Sequence, residues 1–397
     1  MAAIAGLRGT GDWGTDERPK NFREAILWRD PNGVTPLTAL MAKAKSESTD
    51  DPEFAWFEEQ LNQIRVQSDA TGAAAASTLL GLTGGGLDLV VGDLLLVEKA
   101  DSTTYDNEIV EVSSITSDTA IVIKRGQAAT TAAATGVSIF LTKIGNRFAE
   151  GTVSPTSATR NPGKLFNYCQ IFKTAYELTN TAKSTKARTG DPLKNDKKRK
   201  MFDHSVAMEL AFMWGSKSEV TGANNKPMRT TGGLRQFIST NKTVFATTPT
   251  VNTMLDALYP VFDYAGEGAG DERIIFAGNG ALNAFNKMIA GNTNVKVEYA
   301  GVISNYGMKL QQFVTPQGIF YIKSHPLMNT HPRFTNSMFV INGAGLRYRY
   351  LQNRDTKAQD NIQAPDADTQ KGQWLSECGL EVNHEKTFAY LGNVTYP

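Results

Sequence analysis

Four histidines and two cysteines are the chain's candidates for metal or nucleophilic chemistry. His325 and His331 lie in "SHPLMNTHP", each beside a proline. Two ligands in a proline-rich loop fall short of the three or four protein ligands that zinc takes. His204 sits inside a helical pattern and His384 in a turn near the end of the chain. Cys169 and Cys378 cannot build a disulfide framework; they read as small core-filling thiols of a protein kept in a reducing compartment. Neither G-x-S-x-G nor H-E-x-x-H occurs. "GTGDWG" (Gly9 to Gly14) spells G-x-G-x-x-G, but a dinucleotide site needs a strand before it and a helix directly after it. Pro19 breaks the stretch where that helix would have to form, so this is a glycine-rich arm. "NPGKL" ends in Gly163-Lys164 without the first glycine or the hydroxyl residue of a phosphate loop. "AGNGALNAF", around Gly278 to Gly280, is a strand–glycine–helix turn of the kind that can hold an anion at a helix N-terminus. Such turns are ordinary connections, and an enzyme built on this one would be a discrete monomer or small oligomer binding a small anion. The expectation is therefore no catalytic residue, no cofactor and no metal.

Nucleic-acid binding is the second chemistry to weigh. "KKRK" (Lys197 to Lys200) is a compact basic run, and "LRYRYLQNR" (Leu346 to Arg354) interleaves basic and aromatic residues as a single-strand platform would. The second also fits a period-two strand, with Tyr348 and Tyr350 on one face and Arg347 and Arg349 on the other. The totals do not favour a coat for nucleic acid: 41 Lys plus Arg stand against 40 Asp plus Glu. Charge is instead segregated. From Lys183 to Lys200 eight basic residues (183, 186, 188, 194, 197, 198, 199, 200) face two acids, a net of +6. From Ser46 to Ile64 six acids (Glu47, Asp50, Asp51, Glu53, Glu58, Glu59) stand with no Lys or Arg, a net of −6. Two opposite runs of equal size, both on segments lacking a core of their own, point to self-association.

The elements that must carry these charges can be read along the chain. Residues 1–34 hold several breakers and little periodicity, as an extended arm would. In "TPLTALMAKAKS", Thr35 caps, Pro36 takes the first helical position, and Leu37, Leu40, Met41 and Ala44 make one stripe. Phe54, Trp56 and Phe57 crowd together in "DPEFAWFEEQL" and need a surface beyond the arm. Between about 72 and 145 four β-branched runs separated by turns predict a small antiparallel barrel or sandwich. "LFNYCQIFKTAYELTNTA" predicts one long strand, followed by a basic loop. Asp191 as N-cap, Pro192 behind it and Gly215 at C′ predict a helix of about 23 residues and 35 Å. Its buried stripe is expected at Phe202, Val206, Leu210 and Met213 beside Trp214, with the basic end protruding from its own core. A mixed α/β region comes next: helices at 250–265 and 280–290, a buried strand at 273–277, and strands through "VKVEYAGVIS", "MKLQQFVT", "GIFYIKSHP" and "SMFVINGAGLRYRYL". "WLSECGLEVNHEKTFAYLGNV" predicts a closing hairpin. No apolar run reaches the roughly 18 residues that span a bilayer, and "MAAIAGLRGTGDW" does not have the form of a secretory signal. A soluble, cytoplasmic product is expected.

The order of arm, extended strands carrying a β insertion, long helix, α/β domain and return to the terminal strands resembles the major capsid proteins of tailed bacteriophages. "TPLTALMAKAKSESTDDPEFAWFEEQL", "GNRFAEGT", "NYCQIFKTAYELT" and "GLEVNHEKTFAYLGNV" resemble phrases of one capsid subfamily. The resemblance implies an α+β fold with an N-arm, an E-loop, a P-domain with a long spine helix, and an A-domain, here with an inserted small all-β domain. It divides the chain into 1–71 (arm and first extended strand), 72–147 (inserted β domain), 148–190 (E-loop return strand), 191–249 (P-domain with spine helix), 250–345 (A-domain) and 346–397 (return to the P-domain). It also implies a structural protein that assembles as hexamers and pentamers into an icosahedral head around double-stranded DNA. Assembly would take place in the host bacterial cytoplasm. Its partners would be copies of itself, portal and scaffolding proteins and a decoration protein, with non-specific contact to the packaged DNA and no membrane. The candidate inter-subunit contacts are Lys194, Lys197, Lys198, Arg199 and Lys200 on one side. On the other are Glu47, Asp50, Asp51, Glu53, Phe54, Trp56, Phe57, Glu58 and Glu59. The competing reading is a nucleic-acid-binding module using residues 183–200.

Overall fold

The structure, a computed structural model, describes residues 35–41, 46–59, 64–98, 105–132, 134–155, 161–187, 189–264, 270–290, 300–305 and 308–396. The arm expected at 1–34, with "GTGDWG", lies outside the described residues. The chain forms two compact units, one of residues 57–164 and one of the remainder.

The 57–164 unit is built from six strands. Arg65–Gln67, Phe140–Asn146, Asp93–Glu98, Tyr105–Ser117, Ala120–Gln127 and Leu79–Gly81 neighbour one another in that order in the sheet, each antiparallel to the next. The two ends of that order also meet. Ser68 bridges Leu82, Asp69 N–H donates to the Gly81 carbonyl at 2.9 Å, and Thr83 N–H to the Gln67 carbonyl at 2.9 Å. The sheet is therefore a closed barrel. Alternate residues point inward, as the pleat requires, so Val66, Leu80, Leu95, Val97, Val110, Val112, Ile121, Ile123 and Leu141 fill its interior. One buried ion pair, Arg125 with Glu108 at 2.6 Å, belongs to the same unit. The four expected runs are all strands here. The two three-residue strands that complete the ring are too short to show a period.

The other unit holds two large sheets, beside a two-stranded one of Ser218–Thr221 and Pro227–Thr230. In the first, Ser46–Thr49, Leu346–Leu351, Thr369–Val382 and Gln170–Thr179 lie side by side, with Lys357–Gln359 also pairing with Thr369–Val382. In the second, the order is Lys242–Val244, Ala389–Gly392, Met338–Ile341, Glu272–Ala277, Gly318–Ser324, Met308–Thr315, Ala300–Asn305. Glu272–Ala277 is buried on both faces. Ile275 and Ala277 join a cluster with the helices Val251–Leu258 and Asn279–Ala290, while Ile274 and Phe276 join the cluster of the long helix Pro192–Trp214. That explains its continuous apolar run.

The long helix has the expected ends and length. It runs Pro192–Trp214, and the Asp191 carboxylate accepts from Leu193 N–H at 3.0 Å and Lys194 N–H at 3.4 Å. Gly215 comes after it at φ −57°, so the glycine is not there for a left-handed turn. A Cβ at Gly215 would stand 2.4 Å from the Ala211 carbonyl oxygen and 2.5 Å from that of Thr231; close backbone approach selects it.

Four expectations are corrected. The buried face of the long helix carries His204, Met208, Glu209, Phe212 and Met213; of the stripe read from periodicity only Met213 is among them, while Phe202 and Leu210 are exposed and Val206 and Trp214 half-buried. The helix is apolar on two sides, and its two buried polar residues have partners that offset the cost of their burial. The basic end does not protrude: Trp374 Nε1–H donates to the Lys197 carbonyl at 3.0 Å, seating it on the first sheet. The long strand through Cys169 is two strands. Gly163–Tyr168 pairs with Glu53–Glu58, while Gln170–Thr179 pairs with Thr369–Val382 from Gln170↔Cys378 to Thr179↔Thr369, and a short helix, Asn180–Ser184, comes after it. The closing hairpin does not form, because Thr369–Val382 and Ala389–Gly392 belong to different sheets. The short helix Pro36–Met41 forms where expected; residues 42–45 lie outside the described residues.

Candidate functional site

The basic foot of the long helix divides into two groups of side chains. Lys197 turns inward. Its ammonium reaches Asp360 Oδ2 at 2.7 Å and Oδ1 at 3.0 Å and lies 5.9 and 5.7 Å from the Tyr176 and Trp374 ring centroids. Tyr176 O–H donates to the same carboxylate. The Lys197 hydrogen bond holds the Asp360 carboxyl below its ordinary range, and Asp360 in turn raises Lys197. Lys200 pairs with Asp203 on the next turn at 3.1 Å. Lys194, Lys198 and Arg199 are exposed, with Lys194 3.9 Å from Asp191. The helix therefore offers a narrower basic surface than the sequence run suggests.

The acidic segment is divided in the same way. Glu47 lies on the edge strand Ser46–Thr49, parallel to Leu346–Leu351 and opposite Arg349. Its carboxylate meets Arg349 Nη1 at 2.6 Å, and Arg349 Nε donates to Glu381. Arg347 lies 3.7 Å from Glu47 and 3.8 Å from Glu381. Glu47 is thus committed within its own chain, and the "RYRY" arginines serve that network. Tyr348 and Tyr350 stack at 5.9 Å on the opposite face, as the period-two reading expects. Phe54 and Trp56, also expected as contact residues, face inward within their own chain. They are buried, stacked at 6.2 Å, and packed with Cys169 and Phe237. Strand alternation sends Phe57 outward, 67 % exposed. Asp50, Asp51, Glu53 and Glu59 are exposed and Glu58 half-buried. Asp51 Oδ1 accepts from Glu53 N–H at 2.7 Å.

Behind these surfaces lie two buried polar knots. The Glu209 carboxylate, 0 % exposed, accepts from Leu37 N–H at 2.8 Å, Thr38 N–H at 2.6 Å and the Thr38 hydroxyl. His325 Nε2 completes it at 2.8 Å. This caps the short helix Pro36–Met41 with a side chain 171 residues away in sequence. Asn167 is the second knot. Its Nδ2 donates to Thr231 Oγ1, the Gly232 carbonyl and the Leu380 carbonyl at 3.1, 3.0 and 2.7 Å, and its Oδ1 accepts from Gly232 N–H at 2.7 Å. A signal for Glu209 existed: it is the lone acid in "VAMELAFMW". Nothing local distinguishes Asn167.

His204 is held by the Thr174 hydroxyl at Nδ1 (3.0 Å) and the Ser376 hydroxyl at Nε2 (2.7 Å). Burial pushes its imidazole below the ordinary 6.5. The unfolded chain then binds the proton more readily than the folded one. Stability is present in full above about 6.5 and is lost as the pH falls below it. Urea midpoints measured at about pH 7.5 and 5.5 should differ less in His204→Gln than in the parent. An equal loss in both would remove His204 from the acid response.

The turn at Gly278 to Gly280 holds no free anion cradle. Asn279 N–H donates to Asn329 Oδ1 at 2.7 Å and Gly280 N–H to Thr335 Oγ1 at 3.2 Å. Among the described residues no group of three His, Cys, Asp or Glu side chains could hold a metal, and no helix is long and apolar enough to cross a membrane. Cys169 and Cys378 are buried free thiols, and burial pushes Cys169 up to about 12.

Known proteins place this architecture. The fold is similar to the capsid of an empty GTA particle computed with C5 symmetry, with a TM-score of 0.51 at 10 % identity over 98 % of this chain and 99 % of that one. It is equally similar to the capsid of the native GTA particle, with a TM-score of 0.51 at 9 % identity over the same shares. In sequence it is 24 % identical over 368 residues to the major capsid protein of Pseudomonas phage PaMx41, covering 91 % of this chain and 85 % of that protein. Residues 7–395 match the family of the SU10 major capsid protein. The chain belongs to that family, and is a phage major capsid protein with the tailed-phage capsid fold.

Proposed function

We propose that this chain assembles as hexamers and pentamers into the icosahedral shell of a tailed phage head, enclosing double-stranded DNA, within the host cytoplasm. The observation that carries this reading is the fold match along nearly the whole chain to a particle capsid computed with C5 symmetry. In this reading Pro192–Trp214 is the spine helix, residues 250–345 make the A-domain around the capsomer axis, and the 57–164 barrel belongs to the E-loop region as an inserted domain. Portal, scaffolding and decoration proteins are the further partners it implies.

The contact proposed between subunits is narrower than the charge runs. Lys194, Lys198 and Arg199 on the foot of the helix meet Asp50, Asp51, Glu53, Phe57, Glu58 and Glu59 of a neighbour. Their opposite charges suit them to steer subunits together more than to hold them.

Size-exclusion chromatography with electron microscopy tests the whole reading. Capsomers or closed shells are the expected result, and a monomer under every condition would count against it. Reversing the outward pair as Lys198→Glu with Arg199→Glu, and keeping Lys197, should reduce particles in light scattering at least ten-fold at low salt. Normal shells from that variant would sink the proposed contact and leave the shell itself standing. A nucleic-acid module predicts instead tight binding with a steep salt slope in a filter assay.

A further inference from the structure

Two exposed surfaces of the larger unit place apolar residues beside charge. The first is a ridge of the long helix. Lys194, Lys198, Phe202, Val206 and Leu210 follow one another at spacings of four, a row that forms a ridge on a helix surface. All are exposed except Val206, which is half-buried. The ridge is basic where it starts and apolar over its last 12 Å or so, about eight residues of helix.

The second is the hairpin of Ser218–Thr221 and Pro227–Thr230, which among the described residues pairs with no third strand. Its base is held firmly. Thr231 and Gly232 belong to the Asn167 knot, and Lys217 Nζ donates to the Phe166 carbonyl at 3.1 Å. Beyond that base, alternate residues take opposite faces. One face carries the Glu219–Arg229 ion pair at 2.6 Å. The other sets Val220 opposite Met228, 48 % and 57 % exposed. A lone two-stranded hairpin is marginal in water, and an apolar pair left in solvent on it calls for a partner surface.

The hairpin stands beside the acidic segment of its own chain. Cys169 N–H donates to the Pro52 carbonyl at 2.7 Å, which seats Tyr168 next to Glu53. Partial burial raises Tyr168, and the charges of Glu53 and Glu219 raise it further. One chain thus offers the acids Asp50, Asp51 and Glu53 with an apolar pair close by, and also a helix ridge of bases followed by an apolar row. The two surfaces are opposite in charge and alike in length, since four strand residues span about 13 Å. Both are exposed in the single chain, so neither covers the other there.

We infer that the Val220–Met228 face of one copy docks on the Phe202–Val206–Leu210 ridge of a second copy. This rests on the contact proposed above between the helix foot and the acidic segment, and adds to it a part that salt does not screen. The patch is small beside the roughly 1,200 Å² that a stable pair buries. It therefore closes when many copies assemble and stays open in the single chain.

Chains carrying Leu210→Cys, mixed with chains carrying Met228→Cys, test this in assembled particles. The native Cys169 and Cys378 are buried and give little background. Oxidation with diamide should give a linked dimer on a non-reducing gel, and peptide mapping should join positions 210 and 228. Neither variant alone should give that link. Val314→Cys, at another exposed position, should give at least ten-fold less in place of Met228→Cys. Particles without the link, or with links only between like positions, overturn this contact and leave the shell standing. A parent chain that forms no particles counts against the shell and this contact together. If a cysteine variant does not assemble, Val220→Ser with Met228→Ser decides. Circular dichroism should report a folded chain and light scattering at least ten-fold fewer particles, at low and high salt alike. Normal assembly of that serine variant overturns the inference.

Discussion

Glu209→Ala should lower the stability of the larger unit by about 3–5 kcal/mol, because it strips one partner from a buried charged cluster. Alanine leaves Leu37 N–H, Thr38 N–H and His325 Nε2 facing no acceptor, with the short helix Pro36–Met41 no longer capped. Glu209→Gln keeps the shape and one acceptor oxygen. Its amide cannot accept from Thr38, so a cost of about 1–3 kcal/mol is expected. Denaturant titration checks both, read as a shift of the midpoint with unchanged slope. If the barrel unit melts in its own transition, that transition should stay in place. A Glu209→Ala chain within about 1 kcal/mol of the parent would show that the knot does not hold the helix.

Asn167→Ala should cost a similar amount, about 3–5 kcal/mol, through several buried groups left without partners. The Gly232 N–H, Gly232 carbonyl and Leu380 carbonyl all lose their contact at once. The acid–amide exchange separates the two knots. Asn167→Asp should be worse than Asn167→Ala, because a carboxylate would face the Gly232 and Leu380 carbonyls as a buried charge with no donor of its own. At Glu209 the isosteric amide should be milder than alanine. Midpoints for the four variants decide this, and the reverse order at either position would contradict the assignment of donors and acceptors.

Much of the fold was legible because local signals were strong. Asp191 and Pro192 fix the start of the long helix, since a cap and a fixed φ act within a few residues, whereas the crowding that selects Gly215 at its end comes partly from the distant Thr231. The four long barrel strands and the Glu272–Ala277 strand show themselves as β-branched runs. The features that were not legible depended on distant partners. The inward face of the long helix carries His204 and Glu209, whose burial makes sense only with Ser376, Thr174, Leu37 and His325 in place. The last two strands look like a hairpin because a short turn separates two alternating runs, yet each finds its ladder in a different sheet. Among the candidate contact residues, exposure followed the pleat. Phe57 is outside and Phe54 and Trp56 inside, a distinction the crowding of aromatics could not make. Glu47 and Lys197 look like their neighbours in sequence and are set apart by Arg349 and Asp360, which arrive from far along the chain.

The closure of the barrel bears on how copies of this chain meet one another. Copies of one chain that come close together bring their strand edges within reach of one another. A domain with an open strand edge would then be a template on which neighbouring copies could extend a common sheet. Here the first and last strands of the order are hydrogen-bonded to each other through Ser68–Leu82 and the Asp69 and Thr83 amides. Among the described residues neither end strand of that order is left unpaired, so the ring offers no such template.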